Sequence, residues 1–231
     1  MLTTLAGLLE RLTPSTVAAE ETFTDRADVR LYPAEEAAIA RAVPKRRREF
    51  ATVRSCARTA LTRIGVAPAP IVPGHRGAPA WPAGVVGSMT HCAGYRACAV
   101  ALAHDVITIG VDAEPAQRLP DGVLDVISLP AERAALAALA QQAPGIAWDR
   151  MLFSAKEAVY KAWFPLMRAP LDFSEATVDF DPVGRTFTAR LLVPGPATPA
   201  GQLTEFSGRW LQARGLVLSA IVVPAPSVVA A

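Results

Sequence analysis

The chain has 231 residues, 52% hydrophobic and 19% charged, with a formal net charge of +2; that is enough for one large or two small globular domains, and it excludes a disordered chain or a global field for nucleic acid. Cys56, Cys92 and Cys98 are odd in number and lack CxxC spacing, which argues against a disulfide framework or zinc site and for a reducing cytoplasm. No secretory leader is expected, because Glu10 and Arg11 interrupt the first apolar run, and no membrane span, because Glu132 and Arg133 break the alanine-rich stretch 131–143.

In chain order, residues 33–43 and 45–65 have the pattern of helices. Pro33 with Glu35 and Glu36 suits a helix start, and Gly65 suits a helix end. The Pro- and Gly-rich stretch 66–84 is a loop. Residues 85–89 and 95–103 have strand character, and 106–113 (VITIGVDA) is the clearest strand. Helices are expected at 131–142 and 149–163. Segments 176–181 and 186–193 flank DPVG as one hairpin, and 205–212 and 216–223 flank Ala213–Gly215 as another. The tail PAPSVVAA is expected to fray. Helices and strands do not alternate strictly, which favours α+β over a doubly wound parallel sheet, and a boundary near residue 105 divides the chain into halves of similar size.

Two acidic patterns carry chemistry. On strand 106–113, Ile107, Ile109 and Val111 share one face, and Thr108, Gly110, Asp112 and Glu114 the other. Asp112 and Glu114 are then about 6–7 Å apart along the strand. Such a pair repels unless a cation intervenes, and magnesium, a hard ion, takes one or two carboxylates with phosphate and water. A solvated acidic strand end, closed by Pro115, fits these residues as well. Further on, Ala155, Val159 and Trp163 form an apolar helical stripe, with Glu157 and Lys161 on another line and Lys156 beside them. An ordinary surface Glu–Lys pair competes with a functional reading here.

Positive charge is local. Between Arg41 and Arg63 there are eight Lys or Arg residues against one acid, Glu49. Arg47, Arg54 and Arg58, spaced by seven and four, share a helix face that suits forked phosphate binding. A solvated face is the plainer alternative, and the scarcity of aromatics other than Phe50 argues against RNA. The loop GHRGAPAWP (74–82) offers backbone and Arg76 to a nucleotide, and GSMTHC (87–92) offers Thr90 and His91 to a phosphate at a strand end. His75 and His104 receive no role.

Taken in order, the basic helix RRREFATVRSCAR (46–58), the GxPxWP loop (77–82), GSMTHC (87–92), GVDAEP (110–115) and FSAKEAVYKAW (153–163) resemble the Sfp-type 4′-phosphopantetheinyl transferases. The match is nearest to the actinobacterial members serving polyketide, nonribosomal peptide and lipid synthesis. The resemblance implies two similar α+β halves, 1–105 and 106–231, related by a pseudo-twofold axis, with coenzyme A in the cleft between them. It implies Asp112, Glu114 and Glu157 as ligands of magnesium, or alternatively manganese. It places Lys156 and Lys161 at the diphosphate, and Arg47, Arg54, Thr90 and His91 at the 3′-phosphate and diphosphate, with the arginine register open by one residue within 46–48. Arg76 falls near the adenine, at a position that is lysine in many relatives.

The implied reaction transfers 4′-phosphopantetheine from coenzyme A to a serine of an apo acyl or peptidyl carrier protein, releasing adenosine 3′,5′-bisphosphate. Glu157 is then both metal ligand and candidate general base, with Lys156 and Lys161 compensating phosphoryl charge. The expected protein is a cytoplasmic monomer that binds neither nucleic acid nor membrane. A magnesium-dependent nucleotide phosphohydrolase and a non-enzymatic binding module are the rival readings.

Overall fold

The computed structural model describes residues 7–226; of the tail expected to fray, residues 227–231 lie outside the described residues. Strand β1 (Ala18–Thr22) precedes the short helix α1 (Pro33–Ala38) and the long helix α2 (Pro44–Arg63). Strands β2 (Val85–Cys92), β3 (Tyr95–Leu102) and β4 (Val106–Pro115) follow, then helices α3 (Val123–Ile127), α4 (Pro130–Gln142) and α5 (Trp148–Met167). The chain closes with β5 (Ala176–Asp181), β6 (Thr186–Leu191), the short pair β7 (Ala197–Thr198) and β8 (Gly201–Gln202), β9 (Glu205–Ala213) and β10 (Leu216–Pro224).

The architecture is α+β, with antiparallel sheets ordered β1-β3-β2 and β4-β10-β9-β6-β5. Helix α2 covers the smaller sheet through Cys56, Ala57, Ala60 and Leu61, all fully buried with Cys98 and Val100. Helix α5 covers the larger sheet with Ala155, Val159 and Trp163, the stripe expected from the sequence. The end of α2 is set by Gly65 at φ +75°. Its N–H reaches Thr62 O at 3.1 Å, and that of Val66 reaches Leu61 O at 3.0 Å, the pattern of a Schellman cap. The helix expected over 33–43 stops at Ala38, because the chain must turn before Pro44 opens α2. Strand β2 runs on to Cys92, so Thr90 and His91 lie within a strand rather than past its end.

The two sheets meet where β2 and β4 run side by side. The N–H of Val111 donates to Ser88 Oγ at 3.1 Å and that of Ala113 to Thr90 Oγ1 at 3.1 Å. Paired positions advance together, so the strands run in the same direction, and side-chain hydroxyls take the place of a backbone ladder. Close packing of α5 on β4 depends on Gly110. A Cβ there would stand 1.9 Å from Ala158 O, while Thr108 Oγ1 donates to Ala162 O at 2.8 Å. That contact brings α5 against the strand face carrying Asp112.

Candidate active site

Asp112 is 4% exposed. Its Oδ1 accepts from Lys161 Nζ at 2.6 Å and from Thr90 Oγ1 at 3.3 Å, and Lys161 also donates to Val111 O at 3.2 Å. Oδ2 is buried without a hydrogen-bond partner. A buried carboxylate oxygen left bare in this way is costly unless something occupies it. Burial first, then the charge of Asp112, raises the pKa of Glu114. Burial also raises that of Glu157, with Asp112 adding to it and Lys161 opposing. The carboxylates therefore share one electrostatic environment. They are not drawn into a ready cage, since among the described residues no group of three or more His, Cys, Asp or Glu side chains is placed to hold a metal ion. Glu114 is turned to Arg150, whose Nη1 donates to it at 3.2 Å. An all-oxygen donor set with one unpartnered buried oxygen nevertheless fits a hard divalent cation.

Beside these groups lies a cavity of about 780 Å³. Its walls carry Arg46 and Arg54 from α2, Arg76 from the loop that follows it, Thr90 and His91 from β2, and Glu157 and Lys161 from α5. Arg54 is 7% exposed, stacked 3.3 Å over the Phe50 ring, and donates through Nε to Ile71 O at 3.1 Å. Burial lowers its pKa to about 10, so it remains a cation at neutral pH. His91 meets Arg46 and stands 3.7 Å from Glu49. Burial, reinforced by Arg46, lowers its pKa to about 4, leaving it neutral. Arg76 sits at φ +52° on a tight turn, with its loop closed by the Pro73–Pro79 bridge.

Two of the expected residues do not line this cavity. Arg47 does not face the cavity. Its guanidinium bonds Glu36 at 2.6 Å and Ile39 O at 3.0 Å, while Arg46 takes the cavity wall. Arg47 and Arg58 lie a step further around α2, where α1 supplies Glu36 and Glu35 as partners. Lys156 does not reach the cavity that holds Lys161. It stands about 100° around the helix from Glu157, is 4% exposed, and donates to Glu132 at 2.8 Å, Phe173 O at 2.7 Å and Ala176 O at 3.0 Å. With all three ammonium protons used, it ties α5 to α4 and β5.

Several wall residues had received no role from the sequence. His75 stacks on Phe164 at 5.7 Å, and Phe164 on Tyr160 at 5.7 Å, linking the loop after α2 to α5. Arg150 was also missed, although its spacing of seven and eleven from Glu157 and Lys161 puts all three on one helix face.

Comparison with known proteins identifies the family. Residues 34–101 match the family model of the 4′-phosphopantetheinyl transferase N-terminal domain, and residues 108–207 that of the 4′-phosphopantetheinyl transferase superfamily. The chain is 56% identical over 223 residues to the 4′-phosphopantetheinyl transferase Svp of Streptomyces mobaraensis, covering 95% of this chain and 91% of the relative. It is 49% identical over 227 residues to PptT of Mycobacterium tuberculosis, covering 95% and 99%. With Npt of Nocardia iowensis it shares 47% over 222 residues, covering 93% and 99%. The chain belongs to the 4′-phosphopantetheinyl transferase family. It is an enzyme that transfers 4′-phosphopantetheine to carrier proteins, so the phosphohydrolase and binding-module readings give way.

Proposed function

We propose that coenzyme A lies in the cavity between a coenzyme-binding half, 1–105, and a catalytic half, 106–231, and that its phosphopantetheine passes to a serine of an apo acyl or peptidyl carrier protein. The supporting observation is that Arg54, Thr90, His91 and Lys161 line the same cavity as Glu157. A polyanion there meets fixed donors from both halves, and transfer at a diphosphate needs positioning and charge compensation above all. Arg54, with Arg46 in the place first given to Arg47, holds phosphate through forked donors. Arg76 lies near the base, and Lys161 serves the diphosphate.

Asp112, Glu114 and Glu157 would hold magnesium, or manganese in its place. When bound, the cation supplies charge neutralisation on the diphosphate. Glu157 accepts the serine proton, directly or through water. Its burial makes it a stronger base than an exposed glutamate. The bond between the bridging oxygen of the diphosphate and the phosphorus that carries pantetheine breaks as the serine oxygen bonds to that phosphorus, and adenosine 3′,5′-bisphosphate leaves with the bridging oxygen. The enzyme acts as a cytoplasmic monomer on this reading; among the described residues no helix is long and apolar enough to cross a membrane.

The test incubates the protein with coenzyme A, magnesium and an apo carrier protein and follows the carrier by mass spectrometry. One added phosphopantetheine is expected, with Asp112→Ala and Glu157→Ala each reducing the rate by at least about 100-fold. Near-normal turnover of both variants in saturating magnesium would remove the metal assignment.

A further inference from the structure

Glu35 is fully buried, an unusual place for a carboxylate. Its Oε1 accepts from the N–H of Ile71 at 2.9 Å. Its Oε2 accepts from the N–H of Tyr32 at 3.0 Å and pairs with Arg58. Ile71 is held a second time through its carbonyl, which accepts from Arg54 Nε at 3.1 Å. Arg54 lines the cavity, and the charge of Glu35 favours its cationic form against burial. Ile71, itself fully buried, is the root of the loop that closes through Ala80 N–H to Val72 O at 3.0 Å and Gly74 N–H to Ala78 O at 2.7 Å. That loop carries His75 and Arg76 to the cavity wall.

We propose that Glu35 is a positioning residue for the coenzyme A site: through Ile71 it fixes both the guanidinium of Arg54 and the loop bearing His75 and Arg76. It touches no substrate and acts through the backbone of one residue, Ile71. This rests on the reading of the cavity as the coenzyme A site. A helix-start glutamate that served α1 alone would need only Tyr32; the bond to Ile71, thirty-six residues away, joins it to the cavity.

The experiment measures transfer by wild type and Glu35→Gln with coenzyme A and with 3′-dephospho-coenzyme A. The wild type is expected to prefer coenzyme A. In Glu35→Gln, the KM for coenzyme A rises about 10-fold with kcat changed less than about two-fold, and the preference for the 3′-phosphate shrinks. A folded Glu35→Gln enzyme with unchanged KM and preference overturns the positioning role alone. A wild type that transfers nothing from coenzyme A overturns the cavity reading beneath it. Should Glu35→Gln fail to fold, the double variant Glu35→Gln/Arg58→Met leaves no unpaired Arg58 charge behind and is assayed instead. Hydrogen exchange at the Ile71 amide of the wild type supplies a measurement free of substitutions. Slow exchange is expected, and exchange as fast as in exposed loops overturns the clamp.

Discussion

Asp112, His91 and Lys156 show how differently three polar side chains within one enzyme are used. Asp112 keeps one oxygen bonded to Lys161 and Thr90 and leaves the other without a partner, the mark of a group prepared for something it binds. Lys156 keeps nothing in reserve. Removing its ammonium would leave Glu132, 4% exposed, without a counter-charge and held only by the N–H groups of Leu129 and Val178. Lys156→Ala is therefore expected to lower the unfolding free energy by about 3–5 kcal/mol, read by urea denaturation. Unchanged stability with lost transfer would return Lys156 to the diphosphate. His91 has its pKa lowered from 6.5 to about 4 in the folded protein. Between those values the unfolded chain binds the proton more readily, so native stability rises with pH through that window and falls as pH drops from 6.5 toward 4. His91→Gln is expected to flatten this dependence. An unchanged slope in denaturation series across the window would show that another group causes it.

Helix α5 on strand β4 is the element pair that makes the proposed site. The strand supplies Asp112 and Glu114 and the helix Glu157 and Lys161, and Gly110 permits their approach. Gly110→Ala would put a methyl 1.9 Å from Ala158 O, a backbone atom that can yield only if the whole helix shifts. The cost expected is at the upper end of, or beyond, the roughly 1–3 kcal/mol of overpacking. Transfer activity should fall more than the folded fraction does, because the shift separates Lys161 from Asp112. A folded variant with full activity would show that the site does not depend on this approach. A second element, the β9–β10 turn, holds Arg214 at φ +54° and Gly215 at φ +74°, a left-handed pair that closes a two-residue hairpin in the twist its strands favour.

The molecule as a whole depends on the seam between its sheets. Ser88 and Thr90 accept backbone N–H groups across it, and Thr90 also donates to Asp112, so one hydroxyl serves both cohesion and the site. Thr90→Val keeps the volume but leaves the buried N–H of Ala113 unpaired, a loss of about 1–3 kcal/mol, whereas Thr90→Ser keeps the hydroxyl and most of the stability. Equal denaturation midpoints for the valine variant and the parent would show that the seam is held by packing alone.

Periodicity and punctuation made most elements legible. The apolar stripe of α5, Pro33 at the start of α1, Gly65 at the end of α2, and the alternation in β4 are local signals, set by backbone geometry and by which side chains it puts on one face. The ordered motifs from Arg46 to Trp163 pointed to the family, and the acidic and basic residues to phosphate chemistry. Strand β1 and helix α3 went unseen, since AAEET and VLDVI are too short and mixed to show a period. Only the tertiary structure decided which neighbour of a pair faces the cavity. Arg46 rather than Arg47 is a choice of about 100° around a helix axis, and Lys161 without Lys156 one of about 140°. The partners that settle them, Glu36 on α1 and Glu132 on α4, are brought in by packing and carry no local trace beside the residues they hold. The same is true of Glu35: its place at a helix start is written in the sequence, but its grip on Ile71 exists only once the loop has folded back over α2.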